Sequence, residues 1–193
     1  MTVHGSPRRL VAAAGVLALA LTLNAACTRK DSTGTPPQTQ APTSASPTPT
    51  VDPKVADAEQ QARAAYAGYI QTWAIASQQA DPDNPDLARY TADPLLTLTR
   101  RNVRRLKEIG AVQVGAQKAT VQSVKVDLNG NPPTVTINSC LDYSDRKVVY
   151  KSNQSPVPDS GPATPRVSAV SKVTLHTTGQ WLVSEVKQGS DPC

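Results

Sequence analysis

The first half of the folded region spaces its apolar residues with the period of an α-helix. Asp52-Pro53 is a typical helix start, because aspartate caps free amide groups and proline suits the first turn. The pattern predicts a helix over 53–79, a short helix through 87–90, and a third helix over 94–109 closed by Gly110. The first helix would bury one stripe, made of Val55, Ala58, Ala62, Tyr66, Tyr69, Ile70, Trp73 and Ala76.

The third predicted helix combines an apolar side with a run of cations. Its apolar side consists of Leu95, Leu98, Asn102, Leu106 and Ile109, flanked by Leu96 and Val103. Its cations are Arg100, Arg101, Arg104, Arg105 and Lys107. We favour an ordinary solvated face, because cations suit the C-terminal end of a helix. The alternative is a patch for anionic partners, either lipid head groups or cell-wall polymers.

After Gly110 the apolar residues alternate, which is typical of β-strands. The predicted strands are 111–115, 120–128, 134–141, 147–151, 166–176 and 180–187. In the third of them Val135, Ile137, Ser139 and Leu141 face one side, and Thr134, Thr136, Asn138 and Cys140 face the other. Helices followed by a meander of strands predict an α+β domain over 53–193, with helices packed on one face of an antiparallel sheet.

The N-terminal residues 1–26 have the features of an export signal. Arg8 and Arg9 precede an apolar run of 14 residues, Leu10–Leu23, and small residues follow. A retained anchor helix is the alternative, but the run is shorter than the roughly 20 residues that span a bilayer.

Cys27 directly follows Ala25-Ala26, as in a bacterial lipobox, and would be the lipidated first residue of the mature protein. A lipobox normally has leucine three places before the cysteine, whereas this chain has Asn24. Cleavage after Ala26 with Cys27 left free is therefore the alternative. Acyl chains on Cys27 would hold the protein at the extracytoplasmic face of the cell membrane without spanning it.

Residues 27–52 consist mainly of Thr, Pro, Ser, Gln and Ala, without apolar periodicity. Such a segment cannot bury enough surface to offset its ordering entropy, so we expect a disordered stalk. Its Ser, Thr and Pro content also suits O-glycosylation.

The composition limits the partners and predicts one disulfide. A formal net charge of +5 is too small to indicate nucleic-acid binding. With Cys27 set aside, Cys140 and Cys193 form one pair, and an oxidising compartment predicts that they are joined. Two free thiols are the alternative.

Several short motifs accompany this order of elements. They are a Tyr-x-x-Tyr-x-x-x-Trp run (Tyr66, Tyr69, Trp73), a Cys-x-Asp strand (Cys140, Asp142), and a closing Gly-x-Trp-x-Val strand (Gly179, Trp181, Val183) before a terminal cysteine. The chain from Pro53 to Cys193 resembles the secreted lipoproteins of high-GC Gram-positive bacteria that carry a nuclear-transport-factor-two-like domain. The resemblance implies a cone-shaped α+β fold, with a strongly bent sheet wrapped on helices around a pocket. It implies no activity.

No motif in the sequence predicts a catalytic residue, a metal site or a cofactor. A nucleophile elbow, a phosphate loop and a dinucleotide fingerprint are all absent. His176 is most simply a residue at a strand end, and a lone histidine cannot hold zinc when both nearby cysteines are paired. Asp142 and Asp145 are most simply turn residues.

Two functions remain. We favour a non-catalytic, membrane-tethered module that binds a small apolar ligand, a wall polymer or another envelope protein. Its pocket would contain Tyr66, Tyr69, Trp73 and Asp142. The alternative is a small cavity enzyme of the isomerase or dehydratase type, in which Asp142 acts with Tyr66 or Tyr69.

Overall fold

The computed structural model describes residues 52–161 and 164–193. The predicted signal peptide, Cys27 and the stalk through Val51 lie outside the described residues. Within those two ranges, no helix combines the length and the hydropathy that crossing a membrane requires.

Among the described residues, three helices come first, as predicted. Helix α1 (Pro53–Gln79) is capped by the Asp52 carboxylate, which accepts a hydrogen bond from the Lys54 amide at 2.8 Å. Helix α2 (Asp86–Tyr90) is a short connector, and α3 (Leu95–Glu108) ends just before Gly110. Gly110 has a φ of +66°, a conformation that glycine adopts without the strain a side chain would cause.

Six strands follow the helices. They are β1 (Ala111–Val114), β2 (Lys118–Asp127), β3 (Thr134–Asp142), β4 (Lys147–Tyr150), β5 (Arg166–Leu175) and β6 (Trp181–Gln188). Every strand pair is antiparallel. The prediction of an α+β fold with helices followed by antiparallel strands is confirmed.

The strands form two sheets, which corrects the prediction of a single meander. One sheet has the order β2-β3-β5-β6, while β1 and β4 pair separately. Neither sheet is strongly curled, unlike the bent sheet that the resemblance implies. The turn after β3 directs β4 toward β1, where Arg146 Nε donates a hydrogen bond to Gln113 Oε1 at 2.9 Å. The side of β3 that β4 would have occupied is taken by β5, which pairs with β3 from Thr134 to Asp142.

The hydrophobic core lies between α1 and the four-stranded sheet. The face of β3 carrying Val135, Ile137, Ser139 and Leu141 is buried, as its alternation predicts. Helix α1 contributes mainly small and aromatic side chains, which are Ala58, Ala62, Ala65, Tyr66 and Tyr69.

Cys140 and Cys193 form the predicted disulfide, with their Cα atoms 5.7 Å apart. Cys140 lies on the face of β3 opposite the core, yet it is buried. The C-terminal tail runs back along β5, where the Ser168 amide donates to the Asp191 carbonyl at 3.2 Å. The disulfide therefore joins the tail to the outer face of the sheet.

The prediction for the buried side of α3 is wrong in part. Leu95 is buried as predicted, but the other fully buried residues are Thr99 and Val103. Leu98 and Ile109, which the apolar pattern placed inside, are 40% and 43% exposed. The helix packs through its 95-99-103 stripe. This orientation turns these two aliphatic side chains toward solvent, together with Arg101, Arg104, Arg105 and Lys107.

Candidate functional site

A groove of about 590 Å³ runs between α1 and the start of β2. Its apolar lining is formed by Ala67, Ile70, Ala74, Ile75, Ala119 and Val121. Its rim is polar and is formed by Arg63, Gln71, Gln78 and Lys118. We call this feature the α1–β2 groove. Apolar clefts with a few polar groups at the edge are typical of small-molecule sites.

The groove exists because small side chains face each other across it. Ala67 and Ala74 are seven residues apart, so they lie on one side of α1, two helical turns apart. Ala119 faces them from β2. Since alanine carries only a methyl group, none of these residues reaches across to close the gap.

Amide side chains hold one end of the groove in place. Gln78 Nε2 donates to the Gly115 carbonyl at 2.9 Å, and Gln117 Nε2 donates to the Ile70 carbonyl at 3.3 Å. Gln117 is itself buried and lies in the groove wall. These bonds join α1 to the segment before β2, so the width of the groove is set by fixed contacts.

Tyr66 forms part of the groove wall and directs its hydroxyl into the core. The hydroxyl shares a 2.8 Å hydrogen bond with Ser139 Oγ on β3. Burial raises the pKa of the Tyr66 phenol, although the hydrogen bond to Ser139 opposes the shift. The phenol is therefore neutral at physiological pH, and its hydrogen bond joins α1 to β3 inside the core.

The rings of Tyr66, Tyr69 and Trp73 form one aromatic cluster on α1. The Tyr69 and Trp73 rings stack with centroids 5.8 Å apart, and the Tyr66 centroid lies 6.5 Å from that of Tyr69. Both tyrosines are buried in the core, and Tyr66 also lines the groove. Burial raises the pKa of the Tyr69 phenol strongly.

The structure does not bring Asp142 to these aromatic residues. Asp142 alternates with Leu141 and so lies on the opposite face of β3 from the core. Its carboxylate accepts a hydrogen bond from the Ser144 amide at 2.9 Å and lies 3.9 Å from Arg166 Nε. These contacts, the Ser144 hydrogen bond first, lower the pKa of the Asp142 carboxyl. Asp142 is thus a turn residue and a weaker base than an ordinary carboxylate.

Asp145 and His176 are also peripheral. Asp145 pairs with Lys118 Nζ at 2.6 Å in an exposed position. His176 is exposed beside the β5–β6 hairpin, where its amide donates to the Gln180 carbonyl at 2.8 Å. In the described parts of the chain, no group of three or more His, Cys, Asp or Glu side chains is arranged to hold a metal ion.

Tyr143 and Arg146, which no sequence motif singled out, extend the aromatic cluster. The Arg146 guanidinium lies 5.9 Å from the Trp73 ring centroid and 5.4 Å from that of Tyr143. Partial burial lowers the pKa of Arg146. Tyr143 follows Ile137, Ser139 and Leu141 at intervals of two residues, so the alternation in the sequence predicts that its side chain faces the core. Nothing in the sequence indicated the contact with Arg146.

The comparisons with known proteins identify no family. No protein-family model matches the chain, and no curated protein matches it. One similar solved structure is the intermembrane space region of the chloroplast protein ARC6, at 14% identity and a TM-score of 0.46, covering 74% of this chain and 100% of that one. Another is a de novo designed β-sheet protein, at 17% identity and a TM-score of 0.27, covering 72% of this chain and 91% of that one. At these TM-scores neither likeness carries an argument.

Proposed function

We propose that this chain is an extracytoplasmic lipoprotein that binds a small apolar ligand in the α1–β2 groove. In this proposal the signal directs export, acyl chains on Cys27 tether the protein to the membrane, and the stalk through residue 52 presents the domain. The observation that carries the binding role is the apolar lining of the groove, with Arg63, Gln71 and Lys118 among its polar lining residues. Such a lining suits a molecule with an aliphatic body and a polar end.

We also propose that the domain is a flatter relative of the nuclear-transport-factor-two-like lipoproteins that it resembles. The order of its elements supports this, with helices first and antiparallel strands after them. The closing strand with Trp181 and Val183 is a second support, because both side chains pack in the core under α1.

The ligand site is tested by filling the groove. Ala67 is exposed on α1 and lines the groove, so Ala67→Phe would occupy the space without disturbing the core. The full chain should bind a fluorescent fatty-acid probe, and Ala67→Phe should weaken that binding by roughly tenfold or more, about 1.4 kcal/mol. Ala88→Phe is the matched control, because Ala88 is exposed on α2 and lines no part of the groove. Equal binding by both variants would place the probe elsewhere.

The tether is tested separately by mass spectrometry of the exported protein. Lipidation predicts an N-terminus at Cys27 that carries acyl chains, and Cys27→Ser should abolish both the added mass and the membrane fractionation that persists at high salt. An N-terminus with an unmodified Cys27 would show ordinary signal cleavage.

A second candidate function is the binding of a protein segment along the edge of the four-stranded sheet, because the edge at β2 is open. Strand β2 pairs with β3 on one side and with no other strand among residues 52–161 and 164–193. An extended segment could add to this edge by main-chain hydrogen bonds. A photo-crosslinker at exposed Gln122 in intact cells should then capture one envelope protein, while one at exposed Thr178 on the β5–β6 hairpin should not.

The enzyme alternative has no structural support in the described residues. It requires Asp142 within hydrogen-bond reach of Tyr66 or Tyr69 inside one pocket. Asp142 lies on the outer face of β3, whereas both tyrosines lie against its inner face.

A further inference from the structure

Helix α3 presents a cationic face to solvent. Its sequence contains four arginines and one lysine but a single acid, Glu108. With 3.6 residues per turn, Arg101, Arg104 and Arg105 lie on the side opposite the buried 95-99-103 stripe. The side chains of Arg101, Arg104, Arg105 and Glu108 surround a shallow depression.

Arg101, Arg104 and Arg105 form no ion pair with any other described residue of the domain. Five ion pairs occur in the part of the chain that the structure describes, and none involves a residue of α3. The helix macrodipole accounts for cations in the last turn, which here are Arg105 and Lys107. Arg101 and Arg104 lie earlier in the helix, so the macrodipole does not explain them.

Exposed aliphatic side chains flank the cations. Leu98, Asn102, Arg105 and Ile109 follow one another at intervals of four, three and four residues, which places them on one stripe of the helix. Leu98 and Ile109, at the two ends of that stripe, are 40% and 43% exposed. A helix face that only contacts water gains nothing from two large apolar residues, whereas one at a lipid head-group boundary does.

An apolar notch of about 280 Å³ adjoins the same surface. It lies between the start of α3 and β6, with Pro94, Leu98 and Val186 in its lining and Arg101 at its edge. Glu185 also borders the notch, but it is already paired with Lys172 and Lys187. The notch therefore combines aliphatic walls with an uncompensated guanidinium, the two features that a phospholipid would contact.

We propose that α3 docks the domain on an anionic phospholipid membrane. Arg101, Arg104 and Arg105 lie at the level of the lipid phosphates, and Leu98 and Ile109 enter the interfacial layer. The inference rests on the proposed function only in that the Cys27 tether keeps the membrane within reach and so raises the effective concentration of head groups. A hydrophilic wall polymer would use the arginines but would leave Leu98 and Ile109 in water.

The experiment measures co-flotation of the mature chain, residues 27–193, with lipid vesicles, because the apolar run Leu10–Leu23 of the export signal would itself enter the lipid. A Cys27→Ser background removes the acyl anchor, and the vesicles contain either neutral phosphatidylcholine alone or a mixture with phosphatidylglycerol. The parent should bind the anionic vesicles more tightly. Arg101→Glu with Arg105→Glu should weaken that binding by at least roughly tenfold. The matched control is Lys54→Glu with Lys125→Glu, an equal charge change at exposed positions on α1 and β2, and it should keep most of the binding.

A second pair of variants tests the apolar contribution. Leu98→Ser with Ile109→Ser should weaken anionic-vesicle binding by roughly fivefold or more, because both side chains lose their contact with the interface. Both residues are on the surface, so circular dichroism and the urea midpoint should match those of the parent. If the Arg101→Glu, Arg105→Glu variant unfolds, Arg101→Gln with Arg105→Gln provides the same test with a smaller charge change.

Three results would overturn the proposal. One is a parent chain with no preference for anionic vesicles, and another is an equal loss for the α3 pair and the Lys54/Lys125 pair. The third is vesicle binding that depends on the arginines but not on Leu98 and Ile109, and that a soluble anionic wall polymer abolishes by competition. That result would indicate that the surface binds the polymer. An unmodified Cys27 in the exported protein would remove the tether but would leave the vesicle result intact.

Discussion

Tyr66 places a phenol hydroxyl against the inner face of the sheet, where its partner is another side chain. Ser139 Oγ lies 2.8 Å away, and Ser139 is 1% exposed. A buried hydroxyl that loses its partner retains its desolvation penalty, so each member of this pair depends on the other.

We therefore expect Tyr66→Phe to lower the free energy of unfolding by about 1–3 kcal/mol, because Ser139 would be left buried without its partner. Urea denaturation measures the change. Adding Ser139→Ala in the Tyr66→Phe background should recover part of the loss, since the orphaned hydroxyl is then removed. A double variant as unstable as the sum of the two single variants would contradict this coupling.

The buried tyrosines predict sensitivity to alkaline pH. Burial raises the pKa values of Tyr66, Tyr69 and Tyr143 above the ordinary 10.0. An unfolded chain releases these protons near pH 10, whereas the native chain retains them, so the native state binds more protons there. Below about pH 9 the contribution of these tyrosines to the free energy of unfolding should not change with pH. As the pH rises past about 10, the free energy of unfolding should fall.

Urea midpoints measured between about pH 8 and about pH 11 test this expectation. Tyr69→Phe removes the most strongly shifted group, so its curve should fall less steeply than that of the parent. A parent midpoint that stays level through this range would show that the phenols ionise without opposing the fold.

At the scale of elements, α1 and α2 approach closely at Gly68. A Cβ atom added there would meet the ring of Tyr90, a half-buried residue at the end of α2. A glycine within a 27-residue helix normally costs about 1 kcal/mol relative to alanine. Its presence in α1 is explained by the ring that packs against it.

Gly68→Ala should consequently destabilise the protein by about 1–3 kcal/mol, although alanine favours the helix. Thermal or urea unfolding gives the sign directly. In a Tyr90→Ala background the overlap is gone, and the same substitution should stabilise by up to about 1 kcal/mol. A stabilising Gly68→Ala in the parent would mean that Tyr90 moves aside easily.

Helix α3 shows how far an apolar pattern constrains the orientation of an element. Its sequence offers two apolar stripes, one through Leu98 and Ile109 and the other through Leu95 and Val103. Both contain polar residues, Asn102 and Arg105 in the first and Thr99 in the second. The second is buried against the rest of the fold. The helical period allows either stripe to face the core, and Arg105 is the residue that disfavours burial of the first.

At the scale of the whole molecule, one covalent bond joins a central strand to the end of the chain. Cys140 and Cys193 are 53 positions apart, so the disulfide closes a large loop that contains β4, β5 and β6. The chain-entropy model assigns such a loop a stabilisation of about 4 kcal/mol.

Cys140→Ser with Cys193→Ser should lower the free energy of unfolding by about 3–4 kcal/mol, measured by urea denaturation without reductant. Adding a reductant to the parent should produce a similar loss. Cys27→Ser is the control and should leave the midpoint unchanged, since Cys27 has no part in this loop. A parent whose midpoint is insensitive to reductant would show that the loop is held by packing alone.

Local patterns in the chain were sufficient to predict each helix and strand among residues 52–161 and 164–193. Asp52-Pro53 and Gly110 marked helix ends, because capping and left-handed backbone depend on a few neighbouring residues. The alternation around Ile137 indicated which face of β3 is buried, because side chains on a strand point alternately to its two faces. The cysteine count and the expected compartment were enough to pair Cys140 with Cys193.

Long-range contacts decided the rest. Whether β4 would pair with β3 or with β1 depended on the turn at Arg146 and on a hydrogen bond to Gln113, 33 residues earlier in the chain. The α1–β2 groove arises where small residues from distant segments meet. Which face of α3 points to solvent depends on which of its stripes packs against the core. Such features depend on the packing of residues that are remote in sequence, so they became visible only in the folded chain.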